Sequence, residues 1–244
     1  MMTGYPDLTT EEYSRKITWL LIIYQKIIKV LQEEKEDVDE KLKGILRRIE
    51  ATEAIDRITG EEMDLETQRM SLQERINLCL DAQTTTNNTA VINLFHFWER
   101  YWFDVIRAIE LKPDATDEDI KKFKYKDFET FAGIKHRIEK YRTVSDSVSL
   151  VNNIVNILKH ANRRKITVLQ EVRPDLFPTP TKYNRINVAF LINIQGSDAL
   201  CLKPEHVKEM FDILAGNGPD ASIIMTRIRE VERSQTDALQ GLSK

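Results

Sequence analysis

The side chains best suited to chemistry gather in residues 149–164, Ser-Leu-Val-Asn-Asn-Ile-Val-Asn-Ile-Leu-Lys-His-Ala-Asn-Arg-Arg. Wound as a helix at 100° per residue, Asn152, Asn153, Asn156, His160, Arg163 and Arg164 fall roughly on one face. The valine stripe Val148, Val151 and Val155 lies opposite. Carboxamides donate and accept, imidazole can act as a base near neutral pH, and guanidinium binds phosphate in a fork. With Lys159 and Lys165 alongside, the face suits an anionic or polar partner. His160 is the one imidazole on that face. The bland alternative is a solvated helix face whose Asn and His side chains bond to one another.

The segment Asn156-Ile157-Leu158-Lys159-His160 resembles the Asn-x-x-x-His end of the signature of HEPN domains. The neighbouring 156–162 and 172–177 stretches also resemble bacterial proteins of unknown function that carry an Asn-x-x-Lys-His-Gly segment. The likeness covers about residues 90–177. It implies a helical bundle that dimerises, found in bacterial toxin–antitoxin, abortive-infection and CRISPR-associated proteins. Many members cleave RNA without metal, using an arginine four to six residues before the histidine. Here that position is Val155, and no arginine lies between Arg142 and His160. Attack by a 2′-hydroxyl needs a base and a cation to hold the charge that develops on phosphorus. On the resemblance His160 would be the base, with Asn156 assisting, and Arg163 or Arg164 could supply the cation, but the departure favours a member that binds without cleaving.

Other chemistries have thinner support. Glu33, Glu36, Glu61 and Asp64 give ExxE followed by ExxD, which resembles the magnesium pattern of helical nucleotide pyrophosphohydrolases. In a chain with 39 acidic residues such spacing arises readily by chance. His96, His136, His160 and His206 have no i, i+4 histidine partner, and neither Cys79 nor Cys201 has a CxxC partner. The reading is therefore no metal and no cofactor. The two cysteines sit in apolar runs and are expected as buried, reduced thiols of a cytoplasmic protein. No signal peptide is expected, because the first residues offer no basic stretch leading into an apolar one. The apolar run 17–31 contains Lys26 and Lys29, and it is shorter than the ~20 residues that span a bilayer. It reads as a buried helix.

Net charge is −3, yet residues 121–165 hold twelve Lys/Arg against four Asp/Glu. This basic block in an otherwise acidic chain either meets an anionic partner such as RNA or pairs with the chain's own acidic helices. Its interleaved aromatics, Phe123, Tyr125, Phe128, Phe131 and Tyr141, could stack on bases or face inward from an amphipathic helix pair.

These residues need elements to hold them. Residues 8–111 lack proline, which favours helix throughout. Apolar positions recur at helical spacing from Ile17 to Leu31 and from Leu42 to Ile58, where Gly60 would end the run. The charged patch 33–40 between them is either a turn or the solvated middle of one helix. A further helix is expected over 62–80, a loop at Thr84-Thr85-Thr86-Asn87-Asn88, and the most apolar helix over 89–111 with Trp98 and Trp102 in the core. Pro113 ends it. Ser145 opens the helix of the polar face. After Pro174, Pro178 and Pro180, the alternation at 186–194 predicts a strand, with a short second strand at 199–202. Pro204 starts a helix ending near Gly216, and Ile223, Ile224, Ile228 and Val231 mark a last one.

The fold expected is mainly α: a helical bundle with a small C-terminal β-hairpin plus helices. Its parts would be a long-helix region over 1–83, a HEPN-like helical region over 84–177, and the hairpin with its helices over 178–244. The function expected is non-catalytic binding of a protein or nucleic-acid partner, possible RNA included, in a homo-oligomer or hetero-complex and away from any membrane. The setting implied by the resemblance is bacterial defence or toxin–antitoxin. The alternatives are a ribonuclease centred on His160 and a structural subunit that oligomerises through its N-terminal helices.

Overall fold

The computed structural model describes residues 10–53, 60–111, 116, 118, 123, 130–160, 163–177 and 200–219. Six α-helices lie in that set: α1 (Thr10–Glu53), α2 (Gly60–Glu110), α3 (Phe131–Ile138), α4 (Asp146–His160), α5 (Arg163–Val172) and α6 (Pro204–Gly216). A 3-10 turn (Pro174–Leu176) follows α5. The chain is mainly helical, with no strand among the described residues. None of the described helices is long and apolar enough to cross a membrane.

α1 and α2 pair antiparallel. Tyr13 meets Tyr101, Tyr24 meets Asn87, and Glu34 meets Arg75, so positions rise on one helix as they fall on the other. The charged patch 33–40 proves to be the middle of α1, laced by i, i+4 pairs such as Lys35–Asp39 at 2.5 Å. At 1.5 Å rise, α1 runs about 66 Å and α2 about 76 Å, longer than the bundle they help to build. No described residue from 31 to 83 belongs to the buried core cluster. There the two helices form an arm with a 3-4 repeat: Leu31, Lys35, Val38, Leu42, Ile45 and Ile49 face Leu65, Arg69, Leu72, Ile76 and Cys79. Among the described residues of the arm only Val38, Leu65 and Ile76 are fully buried.

The loop expected at 84–88 does not exist. These residues are interior helix, and the 83/84 junction falls inside α2. Two of the side chains that could compete for the local backbone make bonds that a helix tolerates. Thr84 Oγ1 donates back to Leu80 O at 3.0 Å, and the Asn87 carboxamide accepts from Tyr24 Oη at 2.8 Å and donates to Leu202 O at 2.5 Å. The helices expected over 62–80 and 89–111 are thus one.

The bundle forms where the inner halves of α1 and α2 meet α3, α4 and α6. Trp98 and Trp102 are fully buried, as their spacing suggests, but they also hold a turn. Both indole N–H groups donate to Asn217 O at 2.9 Å, and Asn217 Oδ1 accepts from Ser145 N at the start of α4. Tyr13 Oη donates to Leu214 O at 2.8 Å, and Gly218 packs on the Tyr13 ring. The end of α6 is thereby tied to α1, α2 and α4.

Aromatics of the basic block that can be placed face inward. Phe131 stacks near Phe95 and Trp98, Phe123 packs on Phe103 under the Arg137 guanidinium, and Tyr141 Oη donates to Glu110. Tyr125 and Phe128 lie outside the described residues. So do the strand expected at 186–194 and the helix expected beyond 222. Of the second strand, Leu200–Leu202 form an extended connection instead: Leu200 and Leu202 are buried while Cys201 is exposed, the alternation of extended backbone. Cys201 N donates to Leu176 O at 2.7 Å. The expectation of two buried thiols fails for this reason, with Cys79 half-buried and Cys201 outside.

Candidate functional site

α4 carries the residues singled out by the sequence. Its buried face is wider than the valine stripe: Val148, Val151, Ile154, Val155, Ile157 and Leu158 are all inside. What remains is a strip of half-buried Asn152, Asn153 and Asn156, ending in exposed Lys159 and His160. Asn156 Nδ2 donates to Asn152 O at 2.7 Å and to Asn152 Oδ1 at 2.9 Å. Its amide nitrogen therefore turns back one helical turn rather than forward to His160.

One helix does not carry the whole expected face. α4 stops at His160, and Arg163, Arg164 and Lys165 open α5 beyond 161–162. Lys159 and His160 at a helix C-terminus are favoured by its partial negative charge, whereas three cations in the first turn of α5 are not. Arg164 is exposed, and Lys165 is half-buried, with desolvation lowering its ammonium pKa. The Arg163 side chain lies outside the described set. His160 is exposed.

Two α2 residues join this end of α4. Lys159 Nζ lies 3.0 Å from His96 Nε2, and His96 Nδ1 lies 3.1 Å from Glu99 Oε2. An ammonium only donates, so Nε2 is placed to accept from Lys159 and Nδ1 to donate to Glu99. Burial raises the Glu99 carboxyl above its ordinary range, and His96 and Lys159 pull it back. The chain Lys159–His96–Glu99 lays the end of α4 against α2. Sequence reading passed over it because a search for histidine pairs ignores His-x-x-Glu, which also brings both side chains onto one helix face.

A second His–carboxylate pair explains the Val-Arg-Pro-Asp-Leu-Phe stretch. Arg173 forks onto Glu209 at 2.8 Å and onto Asp175 at 2.9 Å. Buried His206 Nε2 lies 3.3 Å from Asp175, while its Nδ1 accepts from Lys203 N. These bonds lock the end of α5 to the start of α6.

The other prominent feature is the outer face of α1. Tyr13, Ile17, Tyr24 and Ile28 face the core, but Trp19, Ile22, Ile27 and Val30 do not. Trp19 is 62% exposed and Val30 64% among the described residues. The expectation of a wholly buried 17–31 helix is thus met on one side only. A crevice of about 300 Å³ runs beside this face between α1 and α2, lined by Leu20, Ile23, Ile27, Thr86 and Asn93. The ExxE/ExxD carboxylates do not converge in the described set: Glu33 pairs with Lys29 on the exposed side of α1, and no group of three possible metal ligands occurs there.

Comparisons with family models, with curated proteins and with solved structures give no match.

Proposed function

We propose that this chain is a helical binding protein that engages a protein partner through the outer face of α1. The observation that carries the reading is the exposure of Trp19, Ile22, Ile27 and Val30 on the side of α1 turned away from Ile17, Tyr24 and Ile28. Single exposed apolar residues are ordinary, whereas several large ones gathered on one face and rimmed by charge mark an interaction surface. Tryptophan is also the side chain most often found dominating interface energy. α1 is anchored on its other side by Tyr13 and Tyr24, so the face is presented without a folding cost at binding. The test is affinity capture with the wild-type chain and with a Trp19→Glu, Val30→Glu variant of unchanged helicity. A specific bound polypeptide is expected with the first and not the second. Retention of every associated species by the variant refutes the reading.

The second reading is a HEPN-like, metal-independent ribonuclease of a bacterial defence or toxin–antitoxin system. It is favoured by the exposure of His160 beside Lys159. Cleavage of RNA by the pure protein, lost in His160→Ala, is its test, since a general base contributes roughly 10²–10⁴-fold in rate. If the end of α4 only binds RNA, charge reversal at Arg163, Arg164 and Lys165 weakens binding in a salt-dependent way and His160→Ala changes little.

A further inference from the structure

We propose that the partner of the α1 face is a second copy of this chain, its α1 lying antiparallel across a two-fold axis that passes between Tyr24 and Gln25. The inference rests on the reading of that face as a protein-binding surface and names its occupant. Trp19 and Val30 are eleven residues apart, which on a helix is about 17 Å along the axis and only about 20° around it. They mark the two ends of one line on the exposed side of α1. In an antiparallel pair, Trp19 of each copy meets Val30 of the other, and half-buried Ile23 meets Ile27 on one flank.

Charge selects the orientation. Arg15 and Lys16 flank the Trp19 end, and Glu33 and Glu34 flank the Val30 end, all four exposed. Antiparallel pairing sets Arg15 of one copy against Glu33 of the other, and Lys16 against Glu34, on matching flanks. Parallel pairing would set each like-charged pair against itself. Within the chain Lys16 pairs with Glu12, Glu33 with Lys29 and Glu34 with Arg75. Exposed pairs of this kind hold weakly, about 0–1 kcal/mol each, so these groups are free to share a second partner. Lys26 lies beside the axis, where its stem covers apolar surface and its ammonium reaches outward.

The experiment uses the full chain with Cys79→Ser and Cys201→Ser, to which single cysteines are added. Sedimentation across the micromolar range is expected to show a dimer, weakened about 30-fold or more by Trp19→Glu. The two copies of residue 26 are offset by only about 4.5 Å along the helices, so Lys26→Cys should form an intermolecular disulfide on mild oxidation. Trp19→Cys should not cross-link alone, but should do so when mixed with Val30→Cys. A dimer that cross-links through Trp19→Cys alone is parallel and overturns the proposal. A monomer with Trp19 open to acrylamide quenching also overturns it, yet leaves the face available to a different protein. A monomer with Trp19 shielded means that the chain itself covers the face, and both this proposal and the binding reading fall.

Discussion

Asn87→Ala is the most informative perturbation of the fold. The Asn87 carboxamide is buried inside α2, where it accepts from Tyr24 Oη and donates to Leu202 O. It therefore joins α1, α2 and the segment entering α6. Alanine strands two buried groups, the tyrosine hydroxyl and the leucine carbonyl, at about 1–3 kcal/mol each. Against this, alanine is the better helix former by up to ~0.7 kcal/mol. The balance is a loss of about 1.5–5 kcal/mol. For a chain of this size each kcal/mol moves Tm by roughly 2–4 °C, so a fall near 10 °C is expected in thermal unfolding followed by circular dichroism. Tyr24→Phe strands only the Asn87 oxygen and should cost about 1–2 kcal/mol. In the double variant that oxygen is gone, so its cost should fall short of the two single costs added together. If 84–88 were instead a surface loop, Asn87→Ala would lie within about ±0.5 kcal/mol. A Tm unchanged to within a degree, or strict additivity with Tyr24→Phe, would refute the reasoning.

Gly218→Ala would drive a Cβ into the Tyr13 ring, so it should destabilise by about 1–3 kcal/mol in chemical denaturation, relieved when Tyr13 is also made smaller. Burial raises the phenol pKa of both Tyr13 and Tyr24 above the ordinary value. A raised folded pKa means that stability is complete below about pH 10, the unfolded value, and is lost above it as the unfolded chain releases protons the fold retains. Tyr13→Phe and Tyr24→Phe should flatten that alkaline decline in denaturation curves. Arg173 chiefly lowers the Asp175 carboxyl, so that contribution is present above the unfolded value near pH 4 and is lost as pH falls further. Arg173→Met should lower Tm at neutral pH by a few degrees and remove this part of the acid dependence.

What could be read from residues alone is local. The 3.6-residue spacing of Ile17, Tyr24 and Ile28, the apolar breadth of 89–111, Pro204 at a helix start and Ser145 before α4 each act within a turn or two, and each appears in the structure. The bundle follows from them, because stripes this apolar must find one another. Contrary signals were also local. The Thr-Thr-Thr-Asn-Asn run favours a loop on its own chemistry, and it is helix because Tyr24 and Leu202, distant in sequence, occupy the Asn87 amide.

Around the candidate site the division is the same. Asn156, Lys159 and His160 were legible as a polar face, but which way Asn156 bonds and that Lys159 rests on His96 depend on α4 crossing α2. Tyr24 is legible as core from its helical spacing with Ile17 and Ile28. Trp19 lies off that line, and only the tertiary structure shows that nothing from the described residues rests upon it. The sequence by itself determined that these residues form helices and that much of their surface needs covering, since periodicity and propensity act over neighbouring residues. The tertiary structure decided which face is covered within the chain and which is offered outward, since that depends on contacts between residues far apart in sequence.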